Sequence, residues 1–400
     1  MSLACSISGR VPKFPVVSKT SGLLFEKEVL EQYIRDGGKC PLTGDSLTMD
    51  DIIEIVSPQF PDRIAEDIEL EKISLSQARR RRPYRKISPS PALRGYIFKE
   101  AYTLHQTRTP GVLSLDFDNS TDIIATGGAD SNAVVLDLSD RKTVYTLSGH
   151  SEKVTSVKFV NKGEMVVTGS GDKTVRVWKR SEKGSYECND ILRNHTAEVQ
   201  AVTIHPSQKY FVTASLDHTW QFYDLSSGSR VAQVACCTGY ESLSTAVFHP
   251  DGHIFGTCAS DLGPVRFWDV TKQDDILKLD NPHTGPVTSI AFSENGYTLA
   301  TAAVDGVKLW DLRFLRTLKT FPSDDKCTQR SVDFDHSGKY LAAGGASIRI
   351  YEIAAGLDPV TTLSPMSGIG DLSCVKFGKD AIHVAAAGTL DSKLLLFGPV

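Results

Sequence analysis

Residues 149–178 read GHSEKVTSVKFVNKGEMVVTGSGDKTVRVW. Apolar residues alternate through VTSVKF, a polar turn follows, and a second strand ends in small residues before an Asp and a third strand. Period-two alternation marks strands. The same layout returns along the chain. Its first strand is VLSLDF at 112–117, VQAVTI at 199–204, LSTAVF at 243–248, VTSIAF at 287–292, QRSVDF at 329–334 and LSCVKF at 372–377. The closing anchors are Phe117, Phe159, Ile204, Phe248, Phe292, Phe334 and Phe377, spaced by 42, 45, 44, 44, 42 and 43 residues. A four-stranded repeat of about 40–45 residues is a propeller blade. The spacing therefore predicts a mainly β chain with a seven-bladed β-propeller over residues 100–400. A strand at Ala101 to Leu104 precedes the first repeat, and pairing it with Leu394 to Phe397 would close the ring and remove its edges.

Inside the repeats one residue set holds a fixed register. Asp130, Asp172, Asp217, Asp261 and Asp305 each follow a threonine by four residues: Thr126, Thr168, Thr213, Thr257 and Thr301. An aromatic follows in four repeats, as Trp178, Tyr223, Trp268 and Trp310. His150, His195 and His283 precede their Asp by twenty-two residues. His, Thr, Asp and an aromatic polar group can chain hydrogen bonds across one blade and satisfy its buried polar atoms. A catalytic reading of His, Asp and Thr fails on repetition, because an active site does not recur blade after blade. The sixth repeat has Ala346 where the Asp belongs, and the seventh keeps Asp391 but has Ala387 in place of the threonine. Those two are expected to be the softer blades. Gly149-His150, Trp268-Asp269 and Trp310-Asp311 resemble the WD-repeat family, over roughly residues 100–400.

Residues 1–57 have another grammar. A loop at Cys5 to Ser8 leads to a hairpin, Val16-Val17 and Leu23-Leu24-Phe25 about the turn 18–22. Val29, Leu30, Tyr33 and Ile34 put an apolar stripe on a helix over 26–36, which Gly37-Gly38 terminates. A second loop, Lys39 to Gly44, follows, and a short closing helix is expected over 49–55 with Thr48 or Asp50 as N-cap. Loop, hairpin, helix, loop is a RING-like order. A zinc RING needs eight Cys/His ligands in paired spacings, and this stretch has only Cys5 and Cys40, so no metal is expected.

The metal-free layout resembles the U-box family, and its union with WD repeats resembles the splicing ubiquitin ligases that join those two domains. The resemblance implies a small α+β U-box domain that docks a ubiquitin-conjugating enzyme carrying ubiquitin, with no catalytic nucleophile and no cofactor. It places Ile7, Tyr33 and Pro41 in the docking groove. An apolar anchor, an amphipathic aromatic and a rigid proline suit a small transient interface. Many U-boxes carry a basic residue where this chain has Gly44. The resemblance also implies a nuclear protein with spliceosomal partners. Its other readings are a non-enzymatic splicing scaffold with a degenerate U-box, and a WD-repeat adaptor outside splicing.

Between the domains lies a linker, 58–99, with Arg79, Arg80, Arg81, Arg82, Arg85 and Lys86 and no acidic residue from 79 to 94. It reads equally as an RNA-phosphate or nuclear-import contact and as a solvated tether. The family carries a tetramerising coiled coil here. Ile64, Ile68, Ile73 and Leu75 do not sustain heptads, so a monomer is expected. Net charge is only −4, so any nucleic-acid contact is local. No run approaches the roughly 20 apolar residues of a membrane span, the N-terminus lacks signal-peptide order, and eight cysteines without paired spacing fit a reducing cytosol or nucleus.

Overall fold

Alternating apolar residues bury one face of each strand against the next sheet, and that packing organises most of the chain. A computed structural model describes residues 15–19, 21, 23–40, 42–44, 46–54, 64–69, 71–72, 95–106, 111–118, 122–139, 142–182, 184–236, 242–259, 263–280, 282–323, 328–354, 356, 359–363, 372–378, 384–388 and 392–399. The chain divides into two units after Asp62.

In the first unit Pro15–Ser18 pairs antiparallel with Leu24–Glu26, the expected hairpin, in the register Val16↔Phe25. Helix α1 is Lys27–Gly37, and Gly38 caps it at φ 59°, a left-handed position that glycine adopts without Cβ strain. Val16, Phe25, Leu30, Cys40 and Leu47 form the core. The expected closing helix over 49–55 is not formed. Met49–Asp51 makes one 3-10 turn, and Ile52–Glu54 becomes a strand paired with Pro15–Ser18. The β-branched pair Ile52-Ile53 favours a strand, and the open side of the hairpin offers it a ladder. Thr48 is the N-cap, closed by Asp51, whose carboxylate accepts from the Thr48 hydroxyl at 2.6 Å and backbone N–H at 3.0 Å.

Among the described residues the second unit is a β-propeller of seven four-stranded antiparallel sheets. Their first strands are Val112–Asp118, Val154–Val160, Val199–Ile204, Leu243–Phe248, Ser289–Phe292, Ser331–Phe334 and Leu372–Phe377. The anchor residues stand at or beside the ends of these strands. Hydrogen bonds join each sheet to the next. The Phe159 N–H donates to Asp116, Val202 N–H to Ser156, Phe248 N–H to Thr203, His249 Nε2 to the Gly296 carbonyl, Val332 N–H to Ser289 and Val375 N–H to Ser331. The Ser373 hydroxyl then donates to the Val112 carbonyl at 2.6 Å, returning from the seventh sheet to the first. The seventh sheet takes its outer strand from the other end of the unit: Tyr96–Thr103 pairs with Lys393–Pro399, Tyr102 opposite Leu394.

That strand begins inside the stretch expected to be linker. So does a helical segment at 64–69 and 71–72, which belongs to the propeller unit. Its Ile68 is buried, and the Glu71 carboxylate lies 2.7 Å from Lys209. The expected limits 58–99 therefore overstate the tether, because within them one apolar side chain is buried and one carboxylate pairs with a lysine of the third sheet.

Candidate functional site

The recurring polar set is hydrogen-bonded within its sheets. In the second sheet His150 places Nδ1 2.9 Å from Asp172 and Nε2 2.8 Å from the Thr168 hydroxyl, which also accepts from Trp178 Nε1 at 2.9 Å. In the third, His195 lies 2.8 Å from Asp217 and 2.7 Å from Thr213, while the Tyr223 hydroxyl donates to the Gln221 amide oxygen. In the fifth, His283 bonds Asp305 and Thr301, and Trp310 donates to Thr301 at 2.9 Å. Thr257 accepts from Trp268 in the fourth sheet, whose Asp261 lies outside the described residues. Burial pushes the Asp172 and Asp217 carboxyls up, but hydrogen bonds from His, Thr and backbone N–H outweigh it and hold both down at about 2. Burial likewise lowers the pKa of His150 and His283 against the pull of their carboxylates.

The histidine of a fourth set was not read from the sequence. His105 bonds Asp130 at 2.8 Å and Thr126 at 2.9 Å, completing the first sheet. His105 precedes its Asp by 25 residues rather than 22, so a fixed-register search passes over it. Across the four sets the imidazole side chains are 0–1% exposed. No substrate reaches them, and the sets hold blades together. Among the described residues no group of three or more His, Cys, Asp or Glu could hold a metal ion.

The inner strands end around a cleft of about 880 Å³ lined by Asp116, Lys158, Phe159, Phe248, Asp333 and Lys376 among others. Lys158 pairs with Asp116 at 2.7 Å and Lys376 pairs with Asp333, each pair spanning two neighbouring sheets. These two pairs are mutually satisfied, and Asp118, Glu164 and Glu294 outnumber Lys162 among the other charged lining residues, so the cleft presents apolar rings and a mildly acidic rim.

In the first unit Tyr33 is 45% exposed on α1, while Leu30 on the same stripe is fully buried. The stripe therefore turns Leu30 inward and leaves Tyr33 available to a partner. Leu42, in the second loop, is also exposed. Cys40 is buried in the core, out of reach of a thioester. Ile7 and Pro41 lie outside the described residues, as do Arg79, Arg80, Arg81, Arg82, Arg85 and Lys86.

The family model for the WD domain, G-beta repeat, matches residues 98–137, 141–179, 186–224 and 276–311. A protein of Oryza sativa subsp. japonica named Pre-mRNA-processing factor 19 is 40% identical over 514 aligned positions, covering 99% of this chain and 97% of that protein. Pre-mRNA-processing factor 19 homolog 2 of Arabidopsis thaliana is 38% identical over 98% of this chain and 96% of its own length. The Homo sapiens Pre-mRNA-processing factor 19 is 40% identical over 71% of this chain and 55% of its own length. The rice alignment is longer than the 400-residue chain, so part of the rice protein has no counterpart here.

Proposed function

The chain belongs to the pre-mRNA-processing factor 19 family, and from that premise we propose that it is a nuclear splicing factor whose N-terminal unit is a U-box ubiquitin-protein ligase domain and whose seven-bladed WD-repeat propeller binds spliceosomal partners or substrates. The observation that carries the ligase reading is the first unit itself. A hairpin, a helix and a third strand share one apolar core, and the helix shows an exposed aromatic, Tyr33, beside its buried Leu30. A domain of this kind does no bond chemistry of its own. It orients a conjugating enzyme so that a substrate lysine meets the ubiquitin thioester, which is catalysis by positioning. Ile7, Tyr33 and Pro41 are the docking residues in this reading.

A ubiquitin-discharge assay with a panel of conjugating enzymes tests it. Ile7→Ala, Tyr33→Ala and Pro41→Ala should each reduce discharge at least about tenfold, the loss expected when an interface anchor is truncated, with the far-UV spectrum unchanged. Wild-type discharge in all three folded variants removes the site assignment. A wild-type chain inert with every enzyme favours the second reading, a splicing scaffold with a degenerate U-box. That reading draws on Gly44. It stands at φ 75°, where a basic side chain would be strained, so the chain offers no cation there to steady ubiquitin.

A further inference from the structure

The third, fourth and fifth sheets join their third and fourth strands by the same kind of turn. It is opened by an Asp whose carboxylate accepts the N–H two residues on: Asp224 from Ser226, Asp269 from Thr271 and Asp311 from Arg313. The fourth residue after each Asp has positive φ: Gly228 at 64°, Gln273 at 58° and Leu315 at 51°. In the third sheet the tip is Ser227-Gly228 and in the fourth Lys272-Gln273, so the turn itself requires nothing apolar. In the fifth it is Phe314-Leu315, 66% and 44% exposed, with a bulky leucine in a region that residue rarely adopts.

Two arginines are ordered against this tip. Arg313 lies 5.5 Å from the centroid of Phe314 and 5.0 Å from that of Tyr297, which is itself 55% exposed, and Arg316 lies 5.2 Å from Phe314. Asp311 fixes Arg313 by two hydrogen bonds, 3.0 and 2.8 Å. The Leu312 N–H donates to the Tyr297 carbonyl at 2.9 Å, tying the two turns into one platform. Arg316 has no ion-pair partner among the described residues. A stacked guanidinium keeps its edge free to donate in a fork to a carboxylate, with its rotamer entropy already spent. Aromatic and arginine side chains are also the residues that dominate protein interfaces.

We propose that this platform of the fifth sheet, Tyr297, Arg313, Phe314, Leu315 and Arg316, docks an acidic peptide segment of a partner protein, with carboxylates on the Arg316 fork and an apolar side chain against Phe314 and Leu315. Single-stranded RNA fits less well. Two guanidiniums already stack on Phe314, so a base would have to displace a cation.

The test uses the full chain and a random twelve-residue peptide library displayed on phage, with Phe314→Ser and Arg316→Glu chains in parallel. Peptides selected on the wild-type chain should be acidic, should carry at least one aliphatic or aromatic residue, and should bind both variants at least about tenfold more weakly by fluorescence anisotropy. Both residues are exposed, and an unchanged thermal midpoint shows that the fold is kept. A selected pool without acidic bias, no saturable pool, or equal binding by the variants overturns the proposal. So does a fluorescent oligouridylate that binds the chain more tightly than the peptides and is lost with Phe314→Ser.

Discussion

The Lys158 ammonium lies 2.7 Å from the Asp116 carboxylate, and the two residues belong to consecutive sheets of the propeller. The second oxygen of Asp116 accepts the Phe159 N–H at 3.0 Å, so one side chain bridges the next strand twice. Asp333 repeats this with Lys376 and the Phe377 N–H between the sixth and seventh sheets.

Asp116→Ala should therefore destabilise far more than Lys158→Met. The first orphans both an ammonium and a backbone N–H, at a cost of about 2–4 kcal/mol, while the second leaves a carboxylate still bonded to the backbone, at about 1 kcal/mol. Urea denaturation of the two variants and their double mutant gives the coupling. Equal losses in the two single variants would refute the bridging role.

Amide exchange should rank the sheets by their polar sets. The second, third and fifth sheets each hold a buried His–Asp–Thr chain. The sixth carries Ala346 at the Asp position, and its outer strand is only Thr361–Leu363. Its strand Tyr340–Gly344 should exchange faster than Met165–Ser170 or Tyr210–Ser215 under native conditions. Equal protection across these strands would show that the sets do not govern local opening.

Stability should begin to fall on mild acidification, well before carboxylates protonate. His205 is buried, its Nε2–H donating to the Gly252 carbonyl at 2.8 Å and its Nδ1 accepting the Ser207 N–H at 3.1 Å, which requires the neutral ring. Burial brings its pKa down from 6.5 to about 4, against the pull of Glu71. Above pH 6.5 neither state holds the extra proton and the effect vanishes. Between pH 6.5 and 4 the unfolded chain takes up the proton and the folded chain does not, so stability falls by about 1.4 kcal/mol per pH unit for this group. Burial shifts His150 and His283 in the same direction, adding to the slope. Below about pH 4 the held-down carboxyls Asp172 and Asp217 take over, their contribution being lost as pH falls towards 2. Denaturation midpoints from pH 7.5 to 4.5 measure the slope, and a flat profile over that window would exclude the histidine effect.

Sedimentation equilibrium should return the mass of a single chain at micromolar concentration. The segment at 64–69 and 71–72 spends its buried isoleucine, Ile68, on the propeller rather than on a second copy, and isolated helices this short are marginal in water. A tetramer mass would mean that some other surface assembles the chain.

The strand repeats were legible because burying one face of a strand forces alternation, and the seven anchors sit at or beside the ends of the strands they were read from. The polar sets were legible where their spacing was constant, and His105 escaped because its spacing is longer. Residues 52–54 were misread since a short apolar run is as consistent with a strand as with a helix. The bridges between sheets were visible in principle. Asp116, Asp333, Lys158 and Lys376 all stand one residue before an anchor phenylalanine. Alternation alone does not say which strand lies beside which, so their pairing needed the fold. Exposure of Phe314 could not be read at all, because a turn residue carries no periodic signal.

The strand Tyr96–Thr103 also has a history in time. The ribosome releases it before any other part of its sheet, and its partner Lys393–Pro399 appears only at the far end of the propeller sequence. Throughout synthesis of the intervening sheets its ladder groups face other strands and other chains as an open edge, the species most prone to mispairing. The final clasp must then bridge a long sequence separation, which makes it a slow step in maturation. Nascent chains stalled before residue 393 should be those that chaperones hold longest.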